Sequence, residues 1–101
     1  MIENYSNESV RSVLVGCGKV GHTHAQALKK LPGSNFLAVC DTSLERAEAF
    51  ATTYGVQAYS NLEAMLAETQ AQMLCVCTPH PAHASQIAIA GRNRVHVLRK
   101  W

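Results

Sequence analysis

Concentrated charge is missing from this chain. Its 9 lysines and arginines against 7 aspartates and glutamates leave a formal net charge of +2, too small and too scattered for a polyanion-binding surface. Arg92, Arg94, Arg99 and Lys100 make only a loose group that reads as a solvated face, and no basic cluster interleaves with the few aromatics. Nucleic acid is therefore not an expected partner. No apolar run approaches the roughly 20 residues of a membrane helix, so no membrane partner is expected either. Residues 1–11 are polar and carry Glu3 and Glu8, without the basic-then-apolar plan of a secretory signal. They read as a loose leader, and the cytoplasm is the expected compartment. A disulfide framework is also absent from the pattern. Of the four cysteines, Cys40, Cys75 and Cys77 lie inside apolar strand-like runs and Cys17 lies just beyond one, the arrangement of buried thiols in a reducing compartment. Disorder is excluded by 48% hydrophobic residues against 16% charged ones.

What is present is an alternation of apolar runs and helical patterns, in one domain over residues 12–101. Strands are expected at 12–15, 36–40, 56–59, 73–77 and 95–98. Between the first two, Val20, His24, Ala27, Leu28 and Leu31 recur at helical spacing until Pro32 and Gly33 stop them. Thr42 with Glu45 and Ser60 with Glu63 have capping-box spacing. The helix after Thr42 would place Leu44, Ala47, Phe50, Ala51 and Tyr54 on one face and end at Gly55. The helix after Ser60 would turn Leu62, Met65 and Leu66 inward, and a last helix over 81–90 would do so with Ala84, Ile87 and Ala88. Strands apolar throughout, rather than alternating, belong to a sheet covered on both faces. The expected fold is α/β: a doubly wound parallel sheet, or Rossmann fold, of about five strands.

The junction of the first strand and helix reads Gly16-Cys17-Gly18-Lys19-Val20-Gly21, a G-x-G-x-x-G pattern. In a dinucleotide-binding unit the first glycine makes the tight turn, the second lets backbone approach the pyrophosphate, and the third lets helix and strand pack closely. The phosphates rest on free amide hydrogens at the positive end of the helix dipole. Asp41 stands 20 positions after Gly21, at the end of the second strand, where a carboxylate bonds the adenosine ribose. A 2′-phosphate about 5 Å from that carboxylate would be repelled by roughly 1–3 kcal/mol per charge. NAD is therefore expected over NADP unless Arg46, about one helical turn along, compensates. Thr78 and Pro79 close the fourth strand at the sheet edge where ligands bind in such folds.

Cys75, Cys77, His80 and His83 fall within nine residues and invite a zinc reading. Cys75 and Cys77 would share one face of a buried strand. The histidines lie beyond its end, and Pro79 and Pro81 restrict the path back to a tetrahedral site. No metal site is assigned. His22 and His24 are two apart on a helix and face away from each other, with His24 expected to be packed or hydrogen-bonded at the sheet edge. His83 as a general base has no visible substrate pocket to serve, so no catalytic residue is assigned.

With Gly91 and the His96-Val97-Leu98 run added, the set of motifs resembles the N-terminal domain of the glucose–fructose oxidoreductase, inositol dehydrogenase and MocA-like (Gfo/Idh/MocA) family, over about residues 12–98. The resemblance implies an NAD(P)-dependent oxidoreductase acting on sugars, cyclitols or related hydroxyl compounds. It carries cofactor contacts onto Gly16, Gly18, Lys19, Val20, Gly21, Asp41, Thr78, Pro79 and His83. It also implies a Glu-Lys-Pro motif after the fifth strand, then a sixth strand and a large substrate domain. Here Arg99-Lys100-Trp101 follows instead, the pattern of a chain truncated at its C-terminal end. Three functional readings are open: a nucleotide-binding half of such an enzyme without turnover of its own, a stand-alone dinucleotide sensor or a subunit completed by a partner chain, and a complete enzyme. A missing sixth strand would leave a sheet edge uncovered, and self-association through it is expected.

Overall fold

The computed structural model describes residues 9–99. Most of the expected leader, Lys100 and Trp101 lie outside the described residues. The first strand, β1, spans Val10–Val15, so residues 10 and 11 of the expected leader are strand. They extend β1 because acceptors for their amides are at hand: the Val10 amide donates to the Gly33 carbonyl at 2.7 Å and the Arg11 amide to the Gln72 side-chain Oε1 at 2.9 Å. There follow α1 (Lys19–Lys30), β2 (Ser34–Cys40), α2 (Leu44–Tyr54), β3 (Gln57–Tyr59), α3 (Leu62–Thr69), β4 (Met73–Val76), a 3₁₀ turn (His80–Ala82), α4 (His83–Arg92) and β5 (His96–Arg99). All strand pairs are parallel, in the order β3-β2-β1-β4-β5.

The period of two along each strand sorts the core into two layers. Val13, Val15, Leu74 and Val76 point to the side where Met65 and Leu66 of α3 and Ala90 of α4 cover them. Leu14, Val39 and Cys75 point to the other, against Ala25 and Leu28 of α1 and Ala47, Phe50 and Ala51 of α2. Burial on both sides is the reason these strands are apolar at every position. Among the described residues no helix is long and apolar enough to cross a membrane.

Four helix details depart from the sequence expectation. The caps sit one residue later than the capping boxes suggest: Ser43 Oγ accepts from the Arg46 amide at 3.2 Å and Asn61 Oδ1 from the Ala64 amide at 2.8 Å. α1 buries Gly21, Ala25 and Leu28, while Val20, Ala27 and Leu31, expected inward, are exposed. Gly21 is held against the Gly16 carbonyl, and Ala25 and Leu28, four and seven residues on, follow on the same helix face. α4 buries His83 and Ala90 and leaves Ala84 and Ala88 outside. The 3₁₀ turn before it advances three residues per turn instead of 3.6 and so shifts the phase of its inward face. Leu44 is also exposed, whereas Gly55 ends α2 in the left-handed conformation, φ 68°, as expected.

Candidate functional site

The three glycines of the turn serve three different needs. Gly16 has φ 103°, and a Cβ there would stand 2.7 Å from both the Cys77 carbonyl carbon and the Thr78 nitrogen. Only glycine lets the end of β1 pass this close to the end of β4. At Gly21 a Cβ would run into the Gly16 carbonyl, so this glycine seats α1 on the turn. A Cβ at Gly18 would meet nothing within 4 Å. The middle glycine alone faces open space, and that space is where a diphosphate would lie.

Gly18 is also the N-cap of α1, with no side-chain capping bond and no acidic residue in the first turn. The first intrahelical acceptor is the Gly18 carbonyl, which takes the His22 amide at 3.1 Å. The amides of Lys19, Val20 and Gly21 therefore have no intrahelical acceptor. α2 and α3 differ: Ser43 and Asn61 cap them, and Glu45 and Glu63 sit in their first turns. α1 and α4 both lack these devices, and of the two only α1 begins at the glycine turn. Three amide hydrogens and the positive helix end there suit an external anion.

Asp41 follows β2 directly and is only 8% exposed. It turns toward the glycine turn: Oδ2 accepts from the Cys17 amide at 3.0 Å, and Oδ1 from the Ser43 amide at 2.9 Å. Arg46 Nη1 lies 3.8 Å from Oδ2, with its side chain largely in solvent. A carboxylate has about four acceptor sites, so capacity remains for a sugar hydroxyl while the two amides fix its orientation. Between Asp41 and the turn, burial pushes the Cys17 thiol up to about 12, with the Asp41 charge adding to it. Burial likewise raises the Cys40 thiol to about 11. Both stay protonated at neutral pH.

Across the turn, the Thr78 hydroxyl donates to Gln86 Oε1, and the Thr78 carbonyl accepts from His83 Nε2 at 2.7 Å. A carbonyl can only accept, which puts a proton on Nε2 and leaves Nδ1 of a neutral ring as an acceptor. That Nδ1 is buried without a hydrogen-bond partner among the described residues. His22 has a structural place instead: its ring stacks on Phe50 with centroids 4.3 Å apart, and Nδ1 bonds the Tyr54 hydroxyl at 2.7 Å.

Of the ten residues singled out from the sequence, all but Gly21 line a single groove of about 940 Å³ at the carboxyl ends of the strands. Gly21 is absent because it packs behind Gly16. Ser60, Leu62, Gln86 and Ile89 line it too and were not picked out from the sequence. Gln86 carried a signal, lying three residues after His83 on one helix face. Ser60 and Leu62 carried none, since only the sheet brings the start of α3 to the groove. β1 and β4 are neighbours whose following helices cover opposite faces, so the groove sits at the topological switch point of the sheet.

A parallel sheet in this order, a glycine turn opening into an uncapped helix and a carboxylate at the end of the next strand define a dinucleotide-binding Rossmann domain. A family model described as an oxidoreductase family with an NAD-binding Rossmann fold matches residues 10–99. The chain belongs to this family, GFO/IDH/MocA, and is an NAD-binding domain of that type. It is 33% identical over 79 residues to inositol 2-dehydrogenase of Rhizobium meliloti, a match covering 78% of this chain and 24% of the relative. It is 29% identical over 89 residues to D-apiose dehydrogenase of Paraburkholderia graminis, covering 87% and 24%. Among solved structures, GenD2 from gentamicin A biosynthesis in complex with NAD superposes with a TM-score of 0.87 at 26% identity, over 93% of this chain and 27% of that one. The chain spans about a quarter of the length of the relatives it matches.

Proposed function

We infer that this chain is the nucleotide-holding part of a dehydrogenase that moves hydride between nicotinamide and a hydroxyl-bearing carbon of a sugar or cyclitol. The observation that carries the reading is Gly18: bare, facing open space, and followed by three helix amides with no internal acceptor. NAD, when bound, supplies the hydride acceptor. The chain's own residues hold and orient it. The amides after Gly18 and the side chain of Lys19 would take the diphosphate, and Asp41 would accept from the adenosine ribose. Thr78, Pro79 and His83 would border the nicotinamide half. Substrate enclosure and the catalytic acid or base would come from outside this domain. The inositol and apiose dehydrogenases among its relatives support the polyol class.

NAD is preferred over NADP in this reading because Asp41 is held in place by two amides. An added phosphate charge at about 5 Å would be disfavoured by roughly 1–3 kcal/mol, about 5- to 150-fold in affinity. Arg46 already lies beside the same carboxylate and would offset part of that. A reducing compartment such as the cytoplasm suits the protonated thiols of Cys17 and Cys40. Calorimetric titration of the chain with NAD and NADP tests the reading. NAD should bind the tighter by that margin, and Asp41→Asn should bring the two affinities together. No heat of binding from either nucleotide at millimolar concentration overturns it.

A further inference from the structure

Beneath the groove, on the α1 side of the sheet, three side chains meet that the dinucleotide does not require. Cys75 and Cys77, two apart at the end of β4, point the same way, and their sulfurs are 3.6 Å apart. His24, from the second turn of α1, completes the group: one ligand atom from each residue lies within 4.8 Å of the other two. The pairing of Cys75 and Cys77 with His80 or His83 weighed from the sequence does not occur, since His83 Nε2 is bonded to Thr78 and His80 lies against the His83 ring. The histidine arrives from a helix some fifty residues earlier, which spacing along the chain does not reveal.

The geometry points to a metal site: His24, Cys75 and Cys77 bind one zinc ion through two thiolates and an imidazole, with a fourth position left open. Around a tetrahedral zinc with Zn–S bonds of about 2.3 Å, two sulfurs stand about 3.8 Å apart, so the observed separation needs almost no movement. Two sulfurs and one nitrogen select a borderline-soft ion over magnesium or calcium. Cys75 is 1% exposed, whereas His24 and Cys77 are half-buried. The ion would rest on the core and open on one side, where water or an added ligand fits. Binding releases one proton from each thiol and changes no oxidation state. Two thiolates cancel the ion's charge, so no net charge is left against the apolar layer of Leu14, Ala25 and Cys75. Cys40 lies outside this group and serves as an internal control.

The test uses the chain of 101 residues, kept reduced, stripped of metal and titrated with Co²⁺ and then Zn²⁺. One equivalent of Co²⁺ should bring a thiolate-to-cobalt charge-transfer band and the strong visible bands of tetrahedral coordination, and Zn²⁺ should bleach both. Zinc uptake should release protons into weak buffer. Cys75→Ala and Cys77→Ala should each weaken Zn²⁺ binding by at least about a hundredfold, beyond the 10- to 100-fold cost of losing an outer-shell partner. Cys40→Ala should leave the titration unchanged. Because Cys75 is buried, His24→Gln, at a half-exposed helical position, decides the matter if a cysteine variant fails to fold. It should weaken Zn²⁺ at least about tenfold with the far-UV circular dichroism of the parent. Absence of the charge-transfer band, binding indifferent to His24→Gln, or equal loss in Cys40→Ala overturns the site. NAD titration of the same samples is a separate readout, so failure of the metal site and failure of the nucleotide reading are told apart.

Discussion

Replacing Gly16 and Gly18 by alanine, one at a time, adds the same methyl group at two points of one turn, and the structure assigns the two changes opposite consequences. At Gly16 the backbone has φ 103°, and the new Cβ would stand 2.7 Å from the backbone of residues 77 and 78, which no rotamer change can move. Left-handed backbone costs an alanine about 1–2 kcal/mol, and forcing an extra carbon into a packed contact costs about 1–3 more. A loss of roughly 2–5 kcal/mol lowers the melting temperature of a domain this size by about 10 °C or more. At Gly18 the backbone φ is −104°, and nothing lies within 4 Å of the added carbon. Poorer capping costs some tenths of a kcal/mol, and reduced freedom of the unfolded chain returns about 0.4–1. The melting temperature should therefore barely move. The methyl would stand in the path of the diphosphate and lift it off amides whose bonds to a charged group are worth about 1.5–3 kcal/mol, so NAD affinity should fall about 10- to 100-fold. Thermal melts followed by circular dichroism and calorimetric NAD titration on both variants read the two axes. A Gly16→Ala protein that melts with the parent denies the close approach of β1 to β4. A Gly18→Ala protein that binds NAD like the parent denies that the phosphates run over this turn.

Gly55→Ala, at φ 68° with open space around the missing Cβ, should lose about 1–2 kcal/mol in urea unfolding without changing NAD affinity; an equal or greater stability rejects left-handed strain as its role. Alkaline pH should destabilise the fold through Cys17 and Cys40, whose folded values of about 12 and 11 lie above the ordinary 9.0. The sign follows because the unfolded chain gives up these protons first: their contribution is complete below pH 9 and disappears as pH rises toward 12. A Cys17→Ala/Cys40→Ala variant should show a flatter alkaline limb of unfolding free energy against pH, and an unaltered limb refutes the assignment. Among the described residues β5 pairs only with β4, and its Leu98 is 49% exposed. Concentration-dependent association should be seen in sedimentation and relieved by Leu98→Lys, and a monomer at every concentration counts against it.

Much of the groove was legible because its requirements are local. A strand that ends in three spaced glycines, with a carboxylate one strand later, states a backbone need that any side chain would violate, and Gly16 and Gly21 bear this out in their contacts. The errors arose where a local pattern admits more than one phase. Thr42 and Ser43 are both capping residues, and only the first helical hydrogen bond chooses between them. Along α4 an alanine-rich stretch offers several apolar faces, and the 3₁₀ turn before it selects the one carrying His83 and Ala90. Val20 looked like core because it is apolar, yet at the first turn of α1 it faces the groove.

Order along the chain was enough to define a doubly wound sheet, a glycine turn and the carboxylate after the next strand, because hydrophobic period and glycine placement act over a few residues at a time. Packing alone decided that His24 comes to Cys75 and Cys77, that Gln86 takes the Thr78 hydroxyl, and that the His83 ring buries an acceptor nitrogen. Each of these depends on how a helix is rotated against the sheet. That rotation is set by the summed contacts of a whole face, which no short stretch of residues contains.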